Sequence, residues 1–275
     1  MNTLVLLLAG PMQSWGERAA FSRRDTLAYP TRSGIVGMLA CALGQPRTTA
    51  LDWADNLTVH VRADRPGHLM QDFHTIGGGY PADQGMRNAE GKPRKNKHGQ
   101  ASGTLTYRHY LADAAFTAAV TVEDDALAAR LAAALNQPRW PLYLGRKSCP
   151  PAYRVLLGTS TTPGEQVLRS LPAYTPMPRA TRPPRTDWFA MIAAATNEAS
   201  EDDQDQVSTV ERVVYLDGVP AADAYTITRD NPVAFTNGYR TYRNRTVGQD
   251  LATVAAAGTG ITAWRTMRDA LAILT

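Results

Sequence analysis

The chain has 275 residues, 44% of them apolar, a net charge of +4 and only two cysteines, Cys41 and Cys149. That is enough apolar material for one large or two small domains, and it excludes a disulfide framework, a cysteine metal quartet and, with no apolar run of spanning length, a membrane-embedded chain. The cysteine usage fits a reducing cytoplasm. The charge is segregated: residues 85–109, 139–154, 179–185 and 239–245 together carry +15, which leaves −11 for the rest. Such segregation suits patches that meet nucleic acid, although Arg-rich loops also serve solvation.

Leu4 to Ala9 is a continuous apolar run ending at Gly10-Pro11. It has neither the basic leader nor the cleavage site of a signal peptide and reads as a buried strand feeding a turn. A helix is predicted from Ser33 as N-cap, with Ile35, Met38, Leu39, Ala42 and Leu43 at helical spacing up to Gly44 and Pro46. Leu57 to Arg62 alternates at period two, as a half-buried strand does. From Met70 to Tyr110 there are glycines at 77, 78, 79, 85, 91, 99 and 103 and few apolar residues, which predicts a long irregular insertion of functional origin. Ala115 to Val122 is a second strong strand. Glu123-Asp124-Asp125 opens a helix that carries Leu127, Leu131 and Leu135 on one face and stops at Pro138; Tyr153 to Leu157 gives a further strand.

The order β-α-β-(insertion)-β-α-β predicts an α+β fold, ferredoxin-like or RRM-like, over residues 1–158. After Gly158 prolines multiply, and the acidic run Glu198 to Asp205 reads as an exposed loop. Strand-like pieces at Val210–Leu216 and Tyr225–Thr228 predict a smaller β-rich lobe over 159–250. A helical tail is expected over 251–275, with Ile261, Trp264, Met267 and Leu271 on one face. The sequence contains no internal repeat.

Four groups of residues carry candidate chemistry. In Gln13-Ser14-Trp15, after the first strand, tryptophan can stack on an unpaired base and glutamine can read a base edge; Trp15 serves equally well as a core cap. In Thr31-Arg32-Ser33-Gly34-Ile35-Val36-Gly37 a phosphate can sit at the helix start beside Arg32 and Ser33, but on spacing alone packing by Gly34 and Gly37 is the favoured role. Tyr143-Leu144-Gly145-Arg146-Lys147-Ser148 sets two cations on a bend, Arg as a forked donor and Lys as a point charge, an arrangement that grips consecutive phosphates. Tyr107-Arg108-His109-Tyr110 offers a further grip or, with His109 as base and Lys95 or Lys97 as cation, a metal-independent ribonuclease centre; a packed or stacking His109 is favoured. The five histidines show no metal-ligand spacing.

Leu6–Leu8 with Ala9 to Gly16, Thr31 to Gly37, Asp72-Phe73-His74-Thr75, Tyr107 to Phe116 and Pro141 to Pro150 resemble the CasD group of the Cas-five family, a branch of the RAMP superfamily found in type I-E CRISPR surveillance complexes (Cascade). The resemblance is specific over residues 1–160 and thin beyond, with a weak echo at Asn237 to Gly248. It implies an RRM-like palm with an inserted β-hairpin thumb at about 76–104. It also implies a cytoplasmic subunit that caps the backbone filament and holds the 5′ handle of the crRNA. The implied partners are CasC and CasA, with CasB and CasE as further candidates, and target DNA is met through the assembled complex. The resemblance further implies that CasE performs the RNA processing, leaving this subunit non-catalytic, without metal or cofactor. Together the residues and the resemblance nominate Gln13, Trp15, Arg32, Ser33, Gly34, Lys95, Lys97, Arg108, Tyr143, Arg146, Lys147 and Ser148 as the RNA-binding set. Type I-C relatives are themselves ribonucleases, so a metal-independent endoribonuclease acting on CRISPR repeat RNA is the alternative.

Overall fold

The computed structural model describes residues 2–17, 22–78, 80–88, 90–175, 209–234 and 241–274. The acidic run 198–205 and most of the proline-rich segment lie outside the described residues.

A seven-stranded sheet organises the chain, in the order β10-β11-β9-β4-β7-β1-β8. Its members are β1 (Asn2–Ala9), β4 (Leu57–Arg65), β7 (Ala115–Val122), β8 (Leu156–Ser160), β9 (Thr209–Asp217), β10 (Thr226–Ala234) and β11 (Thr241–Ala255). Every pairing in it is antiparallel. Helices cover both faces. On one, α1 (Arg32–Leu43) and α2 (Asp125–Asn136) bury Ile35, Leu39, Leu131 and Leu135 against Leu4, Leu6, Leu8, Val59 and Phe116. On the other, α3 (Gly164–Ser170) and α4 (Gly260–Ile273) bury Val167, Met267 and Leu271 against Val5, Leu7 and Ala115. A strand buried on both faces needs apolar residues at every position, which is why β1 reads as an unbroken run rather than an alternation.

A smaller sheet is centred on β6 (Thr104–Ala112), which pairs along its length with β5 (His68–Ile76) and on its other edge with β2 (Met12–Gln13) and β3 (Arg23–Arg24). The segment expected to be irregular from Met70 to Tyr110 is therefore a long hairpin, with turns confined to the 77–103 tip. The stem gives a weak sequence signal because its outer part keeps large side chains in solvent: Leu69, Phe73, Leu105 and Tyr107 are exposed. The tip is held by backbone bonds such as Asn88 N–H to Lys92 O at 2.9 Å and Ala101 N–H to Tyr80 O at 2.8 Å.

Four further features differ from expectation. The strands assigned to a separate small lobe instead extend the main sheet through β9, which pairs with β4 at Val61–Tyr215 and Arg62–Val214. Residues 251–255, expected at the start of the tail helix, finish β11, and the helix begins at Gly260. The N-cap of α1 is Thr31, whose hydroxyl accepts from the Gly34 N–H, so Arg32 and Ser33 lie inside the first turn. Helix α3 escaped prediction between Pro163 and Pro172. Its C-terminal carbonyls are taken by the fully buried Arg62, which donates to Leu168 O and Leu171 O and pairs with Asp64 at 2.6 Å. Among the described residues no helix is long and apolar enough to cross a membrane.

Candidate nucleic-acid interface

The turn after β1 is built on internal bonds. The Gln13 side-chain amide donates to Leu8 O at 2.8 Å and Ala114 O at 2.9 Å, and its Oε1 accepts the Trp15 Nε1–H at 3.0 Å. Both side chains are buried, Gln13 completely. They hold the β1–β2 turn to Ala114 at the entry to β7, and Trp15, although buried, borders the groove formed with α1 and the 143–150 loop. Gly34 faces Trp15: a Cβ there would lie 2.7 Å from the indole ring, so this glycine serves helix packing rather than phosphate approach.

Arg32 is also withdrawn from the surface. It is 4% exposed and donates to Asp217 Oδ2 at 2.9 Å, to Leu57 O and Ala54 O at 2.6 Å each, and to Asn231 Oδ1 at 3.0 Å. Its backbone N–H donates to Asp230 Oδ2 at 2.7 Å, and Arg245 bridges Asp217 at 3.0 Å and Asp230 at 2.6 Å. Two arginines and two aspartates thus satisfy one another in the interior and anchor the start of α1 to β9 and β10. Beside them Tyr29 stacks on Tyr215, with 4.1 Å between ring centroids, and burial pushes the Tyr29 phenol up to about 12. Sequence pattern gives no sign of this network, because Arg32 bonds Asp230 across 198 positions of the chain.

The 143–150 loop is a tight bend. Leu144 N–H donates to Cys149 O at 2.7 Å, Cys149 N–H to Arg146 O at 2.9 Å, and Ser14 N–H to Leu144 O at 3.1 Å. Gly145 has φ +82°, and a Cβ there would meet Ser14 O at 1.8 Å, so only glycine lets the loop lie on the first turn. Arg146 fastens the assembly. Its guanidinium stands 4.7 Å from the Tyr110 ring centroid and donates to His109 O at 3.1 Å, Arg24 O at 3.2 Å and Asp25 O at 3.1 Å. The expected cation pair therefore divides: Arg146 positions the loop, and Lys147 beside it is exposed.

These contacts bring three distant blocks around one groove of about 1070 Å³. Ser14, Trp15 and Gly16 come from the first turn, Thr31, Ser33, Gly34 and Gly37 from α1, and Tyr143, Gly145, Lys147 and Pro150 from the bent loop. Arg47, Trp140 and Tyr242 also line it and were not singled out from the sequence; Tyr242 lies in the 239–245 basic cluster, and Trp140 directly follows Arg139 of another. Among the described residues the lining contains two cations, Arg47 and Lys147, and no Asp or Glu, in a chain with 25 acidic residues. Cys41 in its floor and Cys149 behind the loop are held protonated by burial, which raises both thiol pKa values.

Of the remaining nominated residues, Ser148 is exposed beside the loop, Arg108 lies on the β6 stem with its Nε donating to Thr106 Oγ1 at 3.1 Å, and Lys95 and Lys97 are exposed at the hairpin tip. His109 sits five residues from the tip end of β6, roughly 17 Å down the stem at the usual strand rise. The bridges Pro81–Gln100 and Lys95–Ala101 continue the hairpin beyond that end, so the histidine and the tip lysines do not converge on one phosphate. Among the described residues no three His, Cys, Asp or Glu side chains are placed to hold a metal.

A mostly antiparallel α+β chain with a basic hairpin and a groove whose described lining bears cations and no acid has the form of a protein that receives a polyanion. The chain belongs to the Cas5 family of CRISPR-associated proteins, whose model matches residues 3–248. It is 34% identical over 169 residues to the CRISPR system Cascade subunit CasD of Escherichia coli (strain K12), a match covering 57% of this chain and 70% of that protein. Its structure is similar to a chain of a CRISPR RNA-guided surveillance complex, with TM-score 0.73 and 33% identity over 98% of this chain and 99% of the other. A second similar structure, described as a Cas protein, has TM-score 0.58 and 28% identity over 90% and 94% of the two chains.

Proposed function

We propose that this chain is a non-catalytic, crRNA-binding subunit of a type I-E surveillance complex that holds the 5′ handle of the crRNA and caps the backbone filament. The carrying observation is the groove, where two neighbouring sequence blocks and a third more than a hundred residues beyond them converge on a surface with two cations and, among the described residues, no acid. Single-stranded RNA is the polyanion that suits such a surface, since phosphates meet Lys147 and Arg47 while unstacked bases meet aromatic and apolar walls. On this reading the order β4-β7-β1-β8 with α1 and α2 on one face is the ferredoxin-like palm, and the β5–β6 hairpin with its 77–103 tip is the thumb. CasC and CasA are the expected neighbours, CasB and CasE further ones, and target DNA is met only through the assembly. The separation of His109 from the tip lysines favours binding over RNA cleavage.

The test is to purify the chain from cells expressing its CRISPR locus and to sequence the RNA that comes with it. Repeat-derived 5′ handles are expected, and Lys147→Ala should flatten the salt dependence of binding by about one phosphate contact. Recovery of no RNA, or of RNA unrelated to the repeat, would overturn the reading.

A further inference from the structure

The groove mouth carries an aromatic side chain that the fold leaves without internal work. Trp15, Trp53 and Trp264 each donate their Nε1–H to an internal acceptor, namely Gln13 Oε1, Gln45 Oε1 and Arg154 O. Trp140 is different. It is 42% exposed, and among the described residues its ring stacks on no other ring and its Nε1–H meets no acceptor.

Its backbone, by contrast, is fixed to the end of α1. Arg139 N–H donates to Ala42 O at 2.9 Å, and the Cys41 thiol faces Trp140 O at 3.9 Å and Pro141 O at 3.5 Å. Gly44, at φ +71°, lets the Arg139 stem pack on bare backbone, since a Cβ there would lie 2.4 Å from Arg139 Cγ. Pro141 further restricts Trp140 to extended conformations. A large ring on a fixed backbone yet open to solvent is placed to meet an external partner, and with only two side-chain torsions to order it offers wide contact area at a modest entropic cost.

We propose that Trp140 is a base-stacking residue, taking one unpaired base of the RNA whose phosphates lie along Lys147 and Arg47. This inference rests on the RNA-binding reading above and adds to it the residue that receives a base. The occupant follows from complementarity: the charged lining is wholly cationic, which selects an anion, and an exposed indole beside it selects an anion that carries planar rings. Of the two roles the sequence leaves open for Trp15, base stacking and core capping, its burial fits the second, and Trp140 holds the exposed position.

The test uses the full chain and two fluorescein-labelled probes of equal length, an oligoribonucleotide of the handle sequence and an abasic oligomer that keeps the phosphates without the bases. Trp140→Ala should weaken binding of the first about 5- to 150-fold, the worth of one stacked base, and leave the second unchanged. Trp140→Phe should recover most of the loss. Lys147→Ala should weaken both probes alike. If Trp140→Ala binds RNA as tightly as the unaltered chain while Lys147→Ala does not, the stacking role is refuted and the RNA-binding reading stands. If Trp140→Ala weakens both probes equally, its effect is structural and the stacking role is again refuted. If neither substitution affects the RNA probe, both readings fall.

Discussion

Arg146 and Lys147 are adjacent in sequence and alike in charge, yet the structure gives them separable roles. In Arg146→Ala, three hydrogen bonds to backbone carbonyls and the stack on Tyr110 are lost. They do not count equally. Arg24 O sits in an exposed bond and regains water, while the bonds to His109 O and Asp25 O are partly buried and contribute about 1 kcal/mol each. His109 O keeps the Ser14 hydroxyl at 2.9 Å, which softens its loss. The cation–π contact adds about 0.5–1 kcal/mol. The expected destabilisation is therefore about 2–3 kcal/mol, read as a lowered urea midpoint by circular dichroism. Arg146→Lys should recover only the ring contact, because one ammonium cannot span three carbonyls. Lys147→Ala, at an exposed side chain, should stay within about 0.5 kcal/mol of the unaltered chain. Equal stability of Arg146→Ala and the unaltered protein would refute the positioning role, as would a comparable loss in Lys147→Ala.

Two other outcomes are expected. Gly145→Ala places a methyl group against Ser14 O in a backbone region that side chains rarely adopt, and should lower the urea midpoint by more than about 3 kcal/mol of stability; a folded variant of unchanged midpoint would show that the loop does not bear on the first turn as described. His60 Nδ1 accepts the Asp217 N–H at 3.1 Å, and burial lowers its pKa below the ordinary value despite nearby Asp217 and Glu165. The unfolded chain then binds a proton there more readily than the folded one, so this contribution is complete above about pH 6.5 and declines as the pH falls below it. Urea midpoints measured from pH 7 down to pH 5.5 should fall less steeply in His60→Gln, and identical slopes would exclude the histidine as a source.

Much of the palm could be read locally. The unbroken run of β1 reflects burial on both faces, and Asp124 capping Ala126 and Leu127 marks the start of α2 in sequence as in structure. The stem of the hairpin could not be read, since β5 and β6 pair across the tip and bury few side chains, leaving the glycines of the tip as the dominant signal. Nor could the joining of β9 to β4, a contact between residues 61 and 215 that no local period encodes. At the site, the three blocks were legible as motifs, but which members face outward was not. Gln13 and Arg32 look like ligand-binding types and are buried away from the groove, and Trp15 borders it while almost wholly buried, whereas Trp140 and Arg47 line it from positions without a repeating pattern. Residue type states what a side chain can do; only the fold decides whether water or RNA can reach it.

The two-arginine, two-aspartate cluster also sets when the groove can exist during synthesis. Helix α1, which forms one wall, emerges early from the ribosome, but the carboxylates that receive Arg32 are Asp217 and Asp230, and the second cation that balances them is Arg245. Until residue 217 has been made, an arginine that must end buried has no counter-charge, and until Arg245 follows, the two carboxylates exceed the one cation that faces them. The wall that the first two motifs share is thus anchored by strands far downstream of it in the chain, and the groove is complete only when β9, β10 and β11 have joined the sheet.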